Sequence, residues 1–202
     1  MRKIAIYGGT FNPIHNGHIH LARQFAQFLG VDKVLLIPTR VPPHKKVSDL
    51  ASPQDRLEMC RLASADSIFE ACDIEIRRKG PSYTSETLKE LQLRYPNCEF
   101  YLITGEDMFL TIQNWYESRT IYSLVTLCAA PRSFQGLQPL LDYAKILEQN
   151  GAKTIVKNIE YLPISSTMVR DAVKKGESIA ELVPPTVADY IMGNNLYLEC
   201  VK

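Results

Sequence analysis

The stretch IAIYGGTFNPIHNGH, residues 4–18, decides how the rest of the chain is read. Ile4-Ala5-Ile6-Tyr7 is a brief apolar run halted by Gly8-Gly9, the pattern of a buried parallel strand that ends in a tight turn. Beyond Gly17, the apolar residues Ile19, Ala22, Phe25, Ala26 and Leu29 recur at helical spacing, and Gly30 supplies a stop. Val34-Leu35-Leu36-Ile37-Pro38 is the next buried strand. Strand, loop, helix and strand together make a β-α-β unit with a right-handed crossover.

The same alternation continues to the far end. Ser52-Pro53-Gln54-Asp55 opens a helix, with Ser as its cap and Pro at the first helical position, predicted to run to about Ala65. Residues 72–78 are predicted as a strand, and Thr84 or Ser85 as the cap of a helix that reaches toward Tyr95. Glu99 to Thr104, ending at Gly105, and Val125 to Ala130 are further core strands; Gln138 to Gln149 is a helix stopped by Gly151. Ile159 to Ile164 is predicted as the last strand, with short helices starting near Thr167 and Pro185. This order implies an α/β fold with a doubly wound, Rossmann-like parallel sheet. With 202 residues and no repeat or linker, the chain fits a single domain, 1–202.

Composition narrows the function. Lys and Arg number 23 against 22 Asp and Glu, a formal net charge of +1, so no broad field draws in nucleic acid or an anionic membrane and any basic site is local. The five cysteines, at 60, 72, 98, 128 and 200, are odd in number and form no C-x-x-C pair, which argues against a disulfide framework or a thiolate metal knuckle and fits a reducing cytoplasm. The first apolar run is too short for a signal segment and no 18-residue apolar run follows, so a soluble, cytoplasmic protein is expected.

In doubly wound sheets ligands sit at the carboxyl ends of the strands, which directs attention to residues 8–18, 39–46, 105–107, 131–136 and 165–170. The first of these has neither the G-x-G-x-x-G fingerprint nor the lysine of a P-loop. Gly8 and Gly9 instead admit a ligand close to the backbone, Thr10 adds a hydroxyl, and the start of the next helix offers N–H groups to an anion. If both are helical, His15 and His18 lie about 60° apart on the wheel, whereas His20 points about 140° from His15. Two imidazoles on one face suit a phosphate; histidines that merely cap the helix are the alternative. The split of the third, and the lack of a nearby carboxylate, weaken a three-histidine metal site.

Ile164-Ser165-Ser166-Thr167-Met168-Val169-Arg170 repeats this logic: three hydroxyls and a guanidinium open a helix after a strand, where capping alone asks for one Ser. Residues 39–51 form a long irregular connection of the kind that serves as a binding loop, and Lys45 and Lys46 place positive charge on it. Asp107 can accept ribose hydroxyls or cap the helix after Gly105, and Trp115 beside Tyr116 either offers a stacking surface or packs into the core. No nucleophile stands beside a base, so the inventory fits phosphoryl or nucleotidyl transfer, whose catalysis is positioning and charge stabilisation.

Gly9 to His18 resembles the G-T-F-[DN]-P-x-H-x-G-H signature of the nucleotidyltransferase superfamily, and Ile164 to Arg170 resembles its I-S-S-T-x-x-R motif. Pro42-Pro43-His44-Lys45, Gly80-Pro81-Ser82-Tyr83-Thr84, Gly105-x-Asp107 and Trp115-Tyr116 are similar, more narrowly, to nicotinate-nucleotide adenylyltransferases, and the similarity runs from Ile4 to Asn194-Asn195-Leu196-Tyr197. The resemblance implies the nucleotidyltransferase fold and the reaction of ATP with nicotinate mononucleotide to give nicotinate adenine dinucleotide and pyrophosphate, a step of NAD biosynthesis. It also implies Mg²⁺ with the ATP, and in-line attack without a covalent enzyme intermediate.

By the same resemblance His15, His18, Lys45 and Arg170 are the catalytic candidates. Gly8, Gly9, Thr10, Phe11 and Asp107, with Ile164, Ser165, Ser166 and Thr167, would join the histidines and Arg170 around ATP. Lys45, Thr84, Gly105, Asp107, Trp115 and Tyr116 would receive the mononucleotide, its ring stacked on the indole. Two positions depart from the pattern. Asn12 stands where many relatives have Asp, with activity expected to survive, and Ala130-Pro131-Arg132-Ser133 replaces the usual Arg-Pro-Gly, so no phosphate contact is assigned to Arg132. The expected partners are the two substrates, not nucleic acid or membrane, with self-association left open. The rival readings are an adenylyltransferase for nicotinamide mononucleotide or phosphopantetheine and, in another class, a non-catalytic nucleotide sensor, which would be expected to have lost a histidine or Arg170.

Overall fold

Strand β1 (Arg2–Gly9) buries Ile4, Ala5, Ile6 and Tyr7 consecutively, as a strand covered on both faces must. It pairs in parallel with β2 (Lys33–Pro38) on one side and β4 (Cys98–Gly105) on the other; β3 (Phe69–Ala71) extends the sheet beyond β2, while β5 (Thr126–Ala130) and then β6 (Lys153–Val156) extend it beyond β4. The computed structural model describes residues 1–41 and 50–198, and its strands form one parallel sheet in the order β3-β2-β1-β4-β5-β6. The direction of winding reverses between β1 and β4, which opens a crevice at their carboxyl ends. Register brings those ends level: Gly9 lies opposite Pro38, Tyr7 opposite Ile103 and Gly105 opposite Ala130.

Side chains alternate between two cores, following the period of two. Ala5 and Tyr7 face a cluster with Phe25 of α1 (Asn16–Leu29), Met59 of α2 (Pro53–Leu62), Val169 of α8 (Ser166–Lys175) and Val187 of α9 (Pro185–Gly193). Ile4 and Ile6 face the opposite cluster, with Leu88 of α4 (Thr84–Arg94), Phe109 of α5 (Glu106–Phe109), Ile121 of α6 (Ser118–Leu124) and Leu140 of α7 (Leu137–Gln149). The apolar stripe of α1 is the one its spacing predicts, and Gly30 ends the helix at φ 61°. Among the described residues, no helix is long and apolar enough to cross a membrane.

Four local expectations need correction. Residues 72–78 are not a strand: β3 lies just before them and Ile74–Arg77 form the short helix α3. The alternation of Cys72, Ile74 and Ile76 imitates strand periodicity, but the Arg77 N–H bonds to the Asp73 carbonyl (3.0 Å) and their side chains pair at 3.2 Å, the i,i+4 geometry of one helical turn. Residues 159–164 are not a strand either, because the last strand is β6 and its ladder ends where the Lys157 N–H meets the Ala129 carbonyl. Pro163 has no donor for a continued ladder.

The other two concern helix ends. α2 stops at Leu62 rather than Ala65, where the Ser64 hydroxyl takes the Cys60 carbonyl (2.7 Å). α4 is preceded by Tyr83, not capped by Thr84 or Ser85, and has no side-chain cap. The connection carrying Lys45 and Lys46 lies largely outside the described residues.

Candidate active site

The turn after β1 is built by close packing. A Cβ on Gly9 would come within 3.0 Å of the Phe11 ring, and Phe11 itself adopts φ 46°, a left-handed conformation that a bulky residue holds only when its surroundings impose it. His15 is the extended N-cap of α1 and His18 is its third helical residue; their rings stack with centroids 3.6 Å apart. The His15 backbone N–H donates to His18 Nδ1 (3.2 Å), so the His18 proton resides on Nε2. Gly17 makes room for the stack, since a Cβ there would lie 3.1 Å from His15 Nδ1.

His15 is 5% exposed, and burial lowers its pKa to about 4, which keeps it neutral near pH 7. Its buried Nδ1 has no hydrogen-bond partner among the described residues. That nitrogen lies against Gly17 in the capping-box arrangement at the start of α1, where it faces the His18 backbone N–H. His20 is directed elsewhere: its Nε2–H donates to the Glu160 carbonyl (2.9 Å) and anchors the segment after β6, so the three histidines do not converge.

The start of α8 meets this turn from the other side. Ser165 caps the helix by accepting the Met168 N–H (3.2 Å), the Ser166 hydroxyl donates to the Pro13 carbonyl (2.9 Å), and Arg170 donates to the Asn12 carbonyl (2.8 Å) and to Thr167 Oγ1 (3.3 Å). The side chain of Asn12, almost wholly buried, accepts at Oδ1 from the Ala51 N–H (3.0 Å) and the Tyr197 hydroxyl (2.9 Å).

Two chambers open at the carboxyl edge of the sheet. One, of about 400 Å³, is bounded by His15, Glu106, residues 159–162, Ile164, Ser165, Thr167 and Arg170. The other, of about 280 Å³, is bounded by Gly8, Gly9, Phe11, Glu75, Thr84, Trp115 and Tyr116. Tyr7, Thr10, His18, Gly105, Arg132 and Ser166 line both, so the chambers meet beside His18. The larger falls within the range of about 300–1,000 Å³ typical of small-molecule sites and the smaller just below it. The apolar residues misread as a last strand form a wall of the larger chamber.

Most sequence-selected residues therefore line one chamber or the other, and Thr10, His18, Gly105 and Ser166 line both. Asp107 lines neither chamber; its exposed carboxylate pairs with Arg132 at 2.8 Å. Lys45 lies outside the described residues.

Arg132, Tyr7 and Glu75 are among the lining residues not singled out as candidates. Arg132, which received no role from its displaced motif, stands between the chambers, with its N–H on Glu106 (2.6 Å) and its guanidinium 3.8 Å from where a Gly105 Cβ would sit. Its place two residues past β5 was the available signal. Tyr7, whose hydroxyl burial keeps protonated, was read only as a strand residue. Glu75 is a buried carboxylate in the smaller chamber; it accepts from Thr87 (2.8 Å), and desolvation raises its pKa.

Among the described residues no three of His, Cys, Asp and Glu come together as a metal cage. A family model described as cytidylyltransferase-like matches residues 6–172. A protein of Synechococcus sp. (strain JA-3-3Ab) named "Probable nicotinate-nucleotide adenylyltransferase" is 41% identical over 98% of this chain and 96% of its own. A protein of Desulfitobacterium hafniense (strain Y51) with the same name is also 41% identical, over 97% of this chain and 96% of its own. The structure of Plasmodium falciparum nicotinic acid mononucleotide adenylyltransferase complexed with NaAD superposes with a TM-score of 0.78, at 23% identity and 98% coverage of both chains.

Proposed function

Because the chain belongs to the cytidylyltransferase-like family, and within it to the nicotinate-nucleotide adenylyltransferases, its chemistry is adenylyl transfer in NAD biosynthesis, and we propose that the two chambers hold its two substrates. ATP occupies the larger chamber and nicotinate mononucleotide the smaller, with the 5′-phosphate of the latter and the α-phosphorus of ATP meeting beside His18. The observation that carries this reading is the stacked pair of imidazoles at the N-terminus of α1, with His18 lining both chambers.

The mononucleotide phosphate oxygen attacks the α-phosphorus in line. The bond from that phosphorus to the bridging oxygen breaks, and pyrophosphate leaves on the ATP side. His18 offers its Nε2–H and Arg132 its guanidinium where charge develops; His15, held neutral, contributes as a hydrogen-bonding group and not as a cation. Arg170 keeps N–H groups beyond its two internal bonds, so it serves both the turn and a phosphate. The divalent cation used with ATP is Mg²⁺ by this reading. In this reading the ion enters on the nucleotide as part of the substrate.

Thr84 opens α4, an 11-residue helix with no side-chain cap, and lines the smaller chamber with Trp115. Its first N–H groups and the positive end of the dipole favour a carboxylate on a ring resting against the indole. That favours the acid over the amide. Cys60, Cys72, Cys98 and Cys128 are free thiols, which supports a cytoplasmic setting.

The test is product analysis. Protein, ATP and Mg²⁺ are supplied with nicotinate mononucleotide or nicotinamide mononucleotide in separate reactions, and dinucleotide and pyrophosphate are quantified. Strong preference for the acid is expected. Comparable use of both would overturn the ring-pocket assignment, and no dinucleotide from either would return the chain to the sensor or phosphopantetheine readings.

A further inference from the structure

Arg56, on α2, is fully buried. A guanidinium inside a protein is ordinarily compensated by a carboxylate, because stripping it of water is costly. Here its partners are three backbone carbonyls: Nη1 donates to Thr10 (2.7 Å), Nε to Ala51 (3.1 Å) and Nη2 to Arg40 (3.3 Å). Glu75, Cys60 and Tyr197 act on it only through space, and burial pulls its pKa down from the ordinary 12.5. An arginine nonetheless keeps its proton at neutral pH.

The position of these carbonyls suggests why so expensive a group is retained. Thr10 follows β1 and Arg40 follows β2, the strands whose ends open the crevice, while Ala51 leads into α2 and gives its own N–H to Asn12. Thr10 lines both chambers and Arg56 lines neither, so the guanidinium stands behind the turn that faces the substrates. A planar trans peptide points its N–H opposite to its carbonyl. With the Thr10 carbonyl fixed on Arg56, the Phe11 N–H is turned to the other side of the peptide. The same fixation helps hold Phe11 at φ 46°.

We propose that Arg56 is a positioning residue for the α-phosphate of the transferred adenylyl group: through the Thr10 carbonyl it aims the Phe11 N–H at the junction of the chambers. The proposal rests on the adenylyl-transfer reading above. Arg56 touches no substrate and acts only through this peptide. Removing the aim leaves both nucleotides bound but misaligned, and misalignment is felt in the transition state more than in the ground state.

Steady-state kinetics of wild type and Arg56→Lys, with ATP and nicotinate mononucleotide, test this beside thermal melts of both proteins. The lysine keeps a cation but gathers its donors on one nitrogen, so it cannot span the three carbonyls that Nε, Nη1 and Nη2 reach separately. Expected is a fall in kcat of about tenfold or more with KM for ATP within about threefold, in protein that still melts cooperatively. Unchanged kcat, or a loss confined to KM, would overturn the assignment. Absence of wild-type turnover would instead bring down the reaction reading and this proposal with it.

Should Arg56→Lys not fold, a second measurement uses the intact chain. In ¹⁵N-labelled wild type, a non-hydrolysable ATP analogue is expected to shift the Phe11 amide resonance strongly downfield. A resonance that does not move would overturn the proposal.

Discussion

The turn after β1 and the start of α8 look alike in sequence, each a cluster of polar residues opening a helix after an extended segment, yet the structure uses them differently. In the first, two stacked imidazoles form the chamber wall: His15 sits at the N-cap, and His18 accepts the His15 N–H at Nδ1 and lines both chambers. In the second, the Ser165, Ser166 and Arg170 side chains are engaged with backbone, and two of their acceptors are the carbonyls of Pro13 and Asn12 in the first segment. One motif presents the chemistry and the other braces it. Two phosphate-binding patterns in one sequence therefore need not be equivalent.

If that division is right, the presenting segment carries a cost in stability that pH reveals. His15 has its pKa lowered from 6.5 to about 4, so it contributes fully to stability above about pH 6.5, where both states are neutral. As pH falls from 6.5 toward 4 the unfolded chain takes up a proton that the folded one resists, and about 3 kcal/mol is lost. Denaturation curves of wild type and His15→Gln across this range should therefore converge or cross toward acid, because the variant lacks the titration. Parallel curves would show that the imidazole is solvated and not held dry in the wall.

His18→Ala is expected to reduce kcat by about 100-fold or more, the scale for losing one preorganised donor, with little change in melting temperature or ATP affinity. Arg170→Met should behave differently. It removes a charged donor from the Asn12 carbonyl, a loss of about 2 kcal/mol, and lowers the melting point by about 4–8 °C together with about tenfold in rate. Ser166→Ala loses one hydrogen bond to Pro13 and about 1 kcal/mol. A pattern in which His18→Ala unfolds the protein while Arg170→Met leaves its stability intact would reverse the comparison.

The difference between the two segments also explains how far the sequence could be read. Strand identity at β1, β2, β4 and β5 followed from apolar runs stopped by Gly or Pro, and the site's location followed from the fold class, because strand ends are where such sheets bind. Spacing could not say which polar groups are already spent. The Arg170 bond spans 158 residues and the Tyr197 bond to Asn12 spans 185, so neither leaves a local trace. Residues 159–164 imitate a strand for a related reason: Ile159 packs into the core and Tyr161, Leu162 and Ile164 wall a cavity, so their apolar character does not come from a sheet. Motif spacing gives Arg132 no role, whereas its place after β5 puts it in the wall of both chambers.

Asn12 provides the finest test, since it belongs to the presenting segment but is bonded like the bracing one. Its Oδ1 accepts from the Ala51 N–H and the Tyr197 hydroxyl, and either oxygen of a carboxylate can do the same in the same space. The extra charge would sit on the residue whose carbonyl already receives Arg170, and beside Ala51, whose carbonyl receives Arg56, so two guanidinium groups are close enough to offset its desolvation. Asn12→Asp should therefore keep kcat within about threefold and stability within about 1 kcal/mol at neutral pH. Asn12→Leu should lose both hydrogen bonds and lower the melting point clearly. Equal damage from both changes would mean that Asn12 works through its amide donor, and would move it from brace to participant.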